Sequence, residues 1–248
     1  MSLLDSVISG KQVSAPPRIV IYGYEGVGKS CWASQAPNPI FVQTEDGLKQ
    51  INCNRLPLSK SYKDVIDALA AIRDEKHDFQ TVVIDSLSNL ESLIHEEVCR
   101  EYGVRSIEKA AGGFGKGYIE ALKYWKALLD ILDEINNKRS MLVILTAHVG
   151  VQPVKDPENQ PYDRTSPDLN RLASGLITKW ADCVFQAKQQ FRVQKLTDDK
   201  AIAMAVGSEG GERVIRTIGS VAVIAKNRYD LPEYLPLDFN AFLNAIQK

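Results

Sequence analysis

The chain has 248 residues, 44% of them hydrophobic and 25% charged, with a net charge of −1 and a sequence pI near 6.3. These ordinary globular values exclude wholesale disorder and leave room for a sizeable core. The near-neutral balance also excludes a global field for polyanions, so any nucleic-acid contact has to come from a local basic patch.

Residues 1–17 read as a short amphipathic helix or arm, ended by Gly10 and the pair Pro16 and Pro17. Asp5 and the lack of a long apolar run argue against a signal peptide there. Arg18, Ile19, Val20, Ile21 and Tyr22 form a β-rich run, followed at once by a glycine-rich loop and a helical stretch from Lys29. Pro37 and Pro39 break that helix, and residues 40–43 read as a second strand. Within residues 62–76, Val65, Ile66, Leu69, Ala70 and Ile72 fall at helical spacing. A third strand, residues 81–85, ends on Asp85. Residues 88–102 are predicted helical, whereas Gly103, Gly112, Gly113, Gly115 and Gly117 mark a flexible loop. A helix over residues 118–136 carries Leu122, Trp125, Leu128, Leu129 and Leu132 on one face, and residues 141–145 make a fourth buried strand.

Buried strands alternating with helices predict an α/β fold with a mostly parallel sheet flanked by helices. After residue 150 the texture changes. Pro153, Pro157, Pro161 and Pro167 among polar residues predict a long mobile loop over 151–169. Residues 171–180 read as a helix. From Asp182 to about Ile224, short β-type runs alternate with turn clusters, which predicts a C-terminal antiparallel β extension. Residues 237–247 read as a closing helix. There is no repeat and no low-complexity tract, so the expected organisation is an N-terminal arm (1–17) and one domain (18–248).

Cys31, Cys53, Cys99 and Cys183 are scattered, without paired spacing or a histidine at ligand spacing, which predicts reduced thiols rather than zinc or disulfides. No stretch approaches the ~18 apolar residues of a membrane helix. A soluble, cytoplasmic protein without membrane attachment is expected.

The strongest motif is the run Gly23, Tyr24, Glu25, Gly26, Val27, Gly28, Lys29 and Ser30, which fits G-x-x-x-x-G-K-[ST] and sits between a strand and a helix; Cys31 follows directly. Glycines let backbone N–H groups curl around a β-phosphate, and the helix N-terminus adds its positive dipole end. Lys29 is expected to reach the β- and γ-phosphates, and the Ser30 hydroxyl to ligate Mg²⁺. The ligand implied is a nucleoside triphosphate, ATP with magnesium. Asp85, closing an apolar strand, is the candidate carboxylate for the magnesium shell. Glu45 and Asp46 follow the second strand at the sheet edge where ligands bind, and Glu45 is the candidate general base; capping or solvation is the plainer role for that acidic cluster. Thr146 and His148 end the fourth strand, beside the place a γ-phosphate would occupy, as candidate sensors. His77 and His95 lack such context and read as surface residues.

In their order these motifs resemble the RecA-type recombinase ATPases, and more closely the small phage-encoded RecA-like ATPases of single-strand annealing recombination. The resemblance is carried by the phosphate loop, by residues 41–48 around Glu45, by Val82, Val83, Ile84, Asp85, Ser86 and Leu87, by Leu145, Thr146, Ala147 and His148, and by Ala225, Lys226, Asn227, Arg228 and Tyr229. It covers about residues 18–235 and implies a RecA-like P-loop core. It implies Glu45 as the catalytic glutamate, Asp85 and Ser86 as a magnesium-associated pair, and His148 where such proteins typically carry a glutamine switch. Lys226 and Arg228 resemble residues that reach a neighbouring subunit's γ-phosphate, as arginine fingers do. Two loops would line a single-strand channel: one with Lys109, Phe114, Lys116 and Tyr118, the other with Lys155, Tyr162 and Arg164, followed by Arg171. There cations can pair phosphates and aromatics stack bases.

What the resemblance implies is therefore an ATP-hydrolysing, single-stranded-DNA-binding protein that assembles into a ring or filament, acting in a bacterial host's cytoplasm, with a single-strand-binding protein as a further candidate partner. A small-molecule kinase and a nucleotide-switch module are the competing readings. A GTPase is disfavoured because no N-K-x-D follows the fourth strand. Phe242 and Ala245 match an F-x-x-A self-association motif, in a terminal helix where core packing is the expected role.

Overall fold

The computed structural model describes residues 15–155, 160–197, 200–205 and 211–247, so most of the expected N-terminal arm lies outside the described residues. In chain order the elements are β1 (Arg18–Gly23), α1 (Lys29–Ser34), β2 (Pro39–Gln43), β3 (Asn54–Arg55), α2 (Tyr62–Asp74), β4 (Thr81–Asp85), α3 (Leu87–Glu101) and α4 (Lys116–Arg139). There follow β5 (Leu142–Val154), β6 (Tyr162–Pro167), α5 (Arg171–Trp180), β7 (Cys183–Gln189), β8 (Phe191–Thr197), β9 (Lys200–Ala205), β10 (Arg213–Arg216), β11 (Tyr234–Pro236) and α6 (Phe239–Ile246).

The main sheet has the order β11-β10-β7-β1-β5-β4-β2-β3, with β6 paired to β5 outside that path. From β7 to β3 every pairing is parallel, and β10 and β11 add antiparallel strands, so the expected fold class holds. Alternation along each strand builds two cores. Val20, Tyr22, Val82, Ile84, Val143 and Leu145 face α2 to α5, while Ile19, Ile21, Val83, Ile144 and Phe185 face α1 and α6. Phe242 is fully buried beside Trp32, Phe185 and Phe239, which is the core-packing role expected of the F-x-x-A match.

Three expectations need correction. Residues 151–169 are not simply a loop: β5 runs on to Val154 and turns back as β6, pairing Val149 with Pro167 and Val154 with Tyr162. Beyond its buried foot at Ser166 and Pro167 the ribbon's side chains are half-buried or exposed, so little demands apolar alternation, and prolines are tolerated on an edge. The stretch after Asp182 first adds β7 in parallel beside β1, because α5 carries the chain across in a crossover, and β8 and β9 form a separate two-stranded sheet. The glycine-rich stretch holds a 3₁₀ turn, Ile107–Gly112, and α4 starts at Lys116. Gly117 is thus helical, packed so closely that a Cβ would collide with the Ile107 carbonyl oxygen.

All four cysteines are free thiols. Among the described residues no helix is long and apolar enough to cross a membrane. Strands β1, β5, β4 and β2 deliver their C-terminal ends to one edge, where ligands of parallel sheets bind.

Candidate functional site

At that edge β1 ends on Gly23, paired on one side with His148 and on the other with Ala187. A Cβ on Gly23 would collide with the Ala187 carbonyl oxygen, so only glycine lets the chain turn out of the sheet here. Gly28 caps α1 at φ 109°, a conformation that disfavours any side chain. Lys29 is only 7% exposed, and its ammonium donates to the Gly23 oxygen at 2.9 Å and the Tyr24 oxygen at 3.0 Å. Burial lowers the Lys29 pKa, opposed by the charges of Asp85, Glu45 and Glu25. Tyr24 and Cys31 are exposed at the rim.

One strand away lies Asp85, buried, with β5 between it and β1. Burial pushes its carboxyl pKa up, and hydrogen bonds from Thr146 and Ser30 pull it back. The Asp85–Ser86 peptide is cis. The end of β2 is fastened to this corner. Thr44 N–H donates to the Asp85 oxygen at 2.8 Å, the Thr44 hydroxyl to the Ser86 oxygen at 2.7 Å, and Asn89 holds the Thr44 carbonyl. That anchor sets the next residue, Glu45, whose carboxylate lies 3.3 Å from His148 Nε2.

The other face of His148 leads outward. Its N–H donates to Ser88 Oγ at 3.1 Å, and the Ser88 hydroxyl donates to the Asp168 oxygen at 3.0 Å, at the foot of the β5–β6 hairpin. Glu91, also on α3, accepts the Asn170 N–H at 3.0 and 2.9 Å. Ser88, Asn89 and Glu91 were not singled out in the sequence, where nothing but their place after Asp85 marks them.

Lys29, Ser30, Asp85, Glu45, Thr146 and His148 are therefore brought together from four separate segments. The Ser86 hydroxyl and His148 Nδ1 are buried there without a protein partner among the described residues. Among those residues no cluster of three His, Cys, Asp or Glu forms a ready metal cage. A carboxylate and a hydroxyl are nonetheless what magnesium needs from a protein when phosphates and water complete its shell. The donor set Ser30 and Asp85 fits that ion.

Lys226 and Arg228 are not brought to this site within the chain. They lie toward the opposite end of β7: Lys226 donates to the carbonyls of Thr178, Lys179 and Ala181, closing α5, and Arg228 pairs with Asp182 at 2.8 Å. Lys109, Phe114 and Lys116 are exposed around the 3₁₀ turn and the start of α4, with Phe114 entirely free of contact with the core. Lys155 and Arg164 share a groove of about 600 Å³ with Arg171, Gln152, Ser174 and Thr178, floored in part by Val154 and Ile224. Arg164 is held there by Tyr162, whose hydroxyl it meets at 2.8 Å, and by the Val221 oxygen at 2.8 Å. His77 and His95, expected at the surface, are half-buried; His95 packs edge-on against Tyr118, because α3 and α4 lie side by side.

Compared with known proteins, residues 15–229 match a family model described as "AAA domain". The SPbeta prophage-derived uncharacterized protein YorG of Bacillus subtilis (strain 168) is 26% identical over 137 residues, covering 52% of this chain and 40% of that relative. The chain thus matches less than half the length of that curated relative. A structure described as the RadB recombinase covers 92% of this chain and 90% of its own, with a TM-score of 0.47 and 13% identity.

Proposed function

The chain belongs to the AAA-domain family, and from that premise we propose that it is a RecA-like ATPase that binds and hydrolyses ATP and uses the nucleotide state to control a grip on single-stranded DNA. The observation that carries this reading is the convergence of Lys29, Ser30, Asp85, Glu45 and His148 at one end of a parallel sheet. The loop N–H groups of residues 23–30 receive the β-phosphate. Lys29 exchanges its two carbonyl partners for the β- and γ-phosphate oxygens, a stronger, charge-assisted pairing. Magnesium, when bound, neutralises charge between those phosphates, and Ser30 and Asp85 are the residues that would hold it.

Glu45 orients and deprotonates the attacking water. Its carboxylate is fixed by the Thr44 anchor behind it and by His148 beside it. His148 stands between this carboxylate and the hairpin, so a change at the γ-phosphate reaches Ser88 and Asp168 through it. The exposed Lys109, Phe114 and Lys116 and the groove of Lys155 and Arg164 supply cations and an aromatic face for a single strand. In a ring or filament the trans-acting cation is better sought in Arg228 than in Lys226, since Lys226 is occupied by three carbonyls. The prophage origin in the relative's name supports a phage setting, with strand annealing or recombination as the process and a single-strand-binding protein as a candidate partner.

The test is ATP turnover with and without single-stranded DNA for the wild type, Lys29→Ala and Glu45→Gln. Lys29→Ala should lose nucleotide binding, Glu45→Gln should keep binding but lose turnover, and DNA should stimulate the wild type. Phosphate transfer to nucleosides without any DNA response would replace this reading with a small-molecule kinase.

A further inference from the structure

The phosphate loop has a neighbour outside its own motif. Arg213 opens β10, which runs antiparallel to β7, so the strand starts at the sheet edge where β1 delivers the loop. Alternation places its side chain on the face of Ile215, the face covered by α1. There Arg213 Nη1 donates to the Val27 carbonyl at 3.4 Å and lies 3.1 Å from where a Gly28 Cβ would stand. Leu237 Cδ2 flanks the same point at 3.3 Å, and Leu237 N–H donates to the Arg213 oxygen at 3.0 Å, which locks the two residues together. Gly28 is thus needed for its positive φ and for the space these two side chains occupy.

The sheet order says which part of a nucleotide passes here. Apart from Lys29 and Ser30, which open α1 directly after the loop, the residues placed around the γ-phosphate and its metal come from β5, β4 or the end of β2, all on one side of β1. With the β-phosphate in the loop, the sugar and base must leave on the other side of β1, toward β7 and β10. Loop N–H groups turn inward onto phosphate, so a guanidinium on the outward Val27 carbonyl stands beside the phosphate path and not in it.

We propose that Arg213 and Leu237 form the platform for the nucleotide's base, with the Arg213 guanidinium stacked on the ring and the Leu237 methyl groups beneath it. The plane and weak hydration of a guanidinium suit it to stacking on an aromatic face. This assignment rests on the ATP-binding reading above and names the base-contacting residues of that same site.

The experiment compares magnesium ATP, ADP and inorganic tripolyphosphate by calorimetric titration against the wild type, Arg213→Ala and Arg213→Lys. Arg213→Ala should weaken ATP and ADP by about tenfold and leave tripolyphosphate, which has no base, unchanged. Arg213→Lys, keeping the charge but not the plane, should behave like Arg213→Ala. Parallel losses for ATP and tripolyphosphate would make Arg213 a mere support of the loop and overturn the assignment. Full rescue by lysine, or no change in any ligand, would overturn it as well. Failure of the wild type to bind either ATP or tripolyphosphate would instead strike the phosphate-loop reading beneath it.

Discussion

The phosphate loop and the β5–β6 hairpin leave the same edge of one sheet, yet different kinds of constraint shape them. In the loop each conformation is demanded locally: Gly23 has no room for a Cβ, and Gly28 sits where α1, Arg213 and Leu237 meet. In the hairpin, backbone pairing over Val149 to Val154 does the work, and most side chains are half-buried or exposed. A region fixed by what the backbone can do fails sharply when one atom is added. A region fixed by pairing tolerates substitution and yields gradually.

The contrast predicts its largest effect at Gly23. Gly23→Ala pushes a methyl group into the Ala187 carbonyl of a paired strand that cannot easily move, and should destabilise the protein by about 3 kcal/mol. Gly26→Ala, with a positive φ but open space around it, should cost only about 1 kcal/mol. Urea unfolding midpoints separate the two; equal losses would mean that φ alone, and not the close approach, governs this loop. Next in size is Asp85→Asn, which should reduce magnesium-dependent turnover by about 10- to 100-fold. Because the neutral amide relieves a buried carboxyl whose pKa is already raised, the fold should not weaken with it. A variant that turns over normally would remove Asp85 from the metal's shell.

On the hairpin side the effects are smaller. Lys155→Ala combined with Arg164→Ala should weaken single-stranded DNA by about tenfold and lower the salt slope of binding by about 1.4, the value for two phosphate contacts. ATP affinity should stay unchanged. If the DNA affinity is untouched, the groove is not on the strand's path.

The same difference explains what could be read in advance. The main strand and helix order up to residue 145, the phosphate-loop motif and the arrival of Asp85 and Glu45 at one sheet edge were legible, because buried strands and positive-φ glycines write themselves into residue type. The hairpin was not, because Pro153, Pro161 and Pro167 signal a break in regular pairing and the partner that supplies the pairing is the chain itself, folded back. Nor was β7 legible as a parallel strand, since a short apolar run carries no mark of its neighbour's direction. Arg213 lies 186 residues from Val27 and joins it only through the antiparallel addition of β10, which no local pattern announces. Ser88 and Glu91 were missed for a related reason: their partners, Asp168 and Asn170, arrive from the far side of the hairpin.

Glu91 carries the smallest predicted effect and the one that bears most directly on how the two regions communicate. It accepts the Asn170 N–H at the start of α5, while Ser88, one turn earlier on the same helix, bridges His148 to Asp168. Burial, helped by the nearby Asp168 carboxylate and opposed by the Asn170 hydrogen bond, raises the Glu91 pKa from 4.5 to about 7. Between those values the native state binds the proton and the unfolded chain has released it. With more protons bound in the native state, stability must fall as pH rises through that window and level off above it. Glu91→Gln keeps an oxygen for the Asn170 N–H and cannot ionise. It should match the wild type near pH 5, exceed it near pH 8, and flatten the decline between. Urea midpoints measured across that range decide the matter. A variant that keeps the full wild-type slope would show that some other group titrates, and that the hairpin's foot is held to α3 without any change of charge.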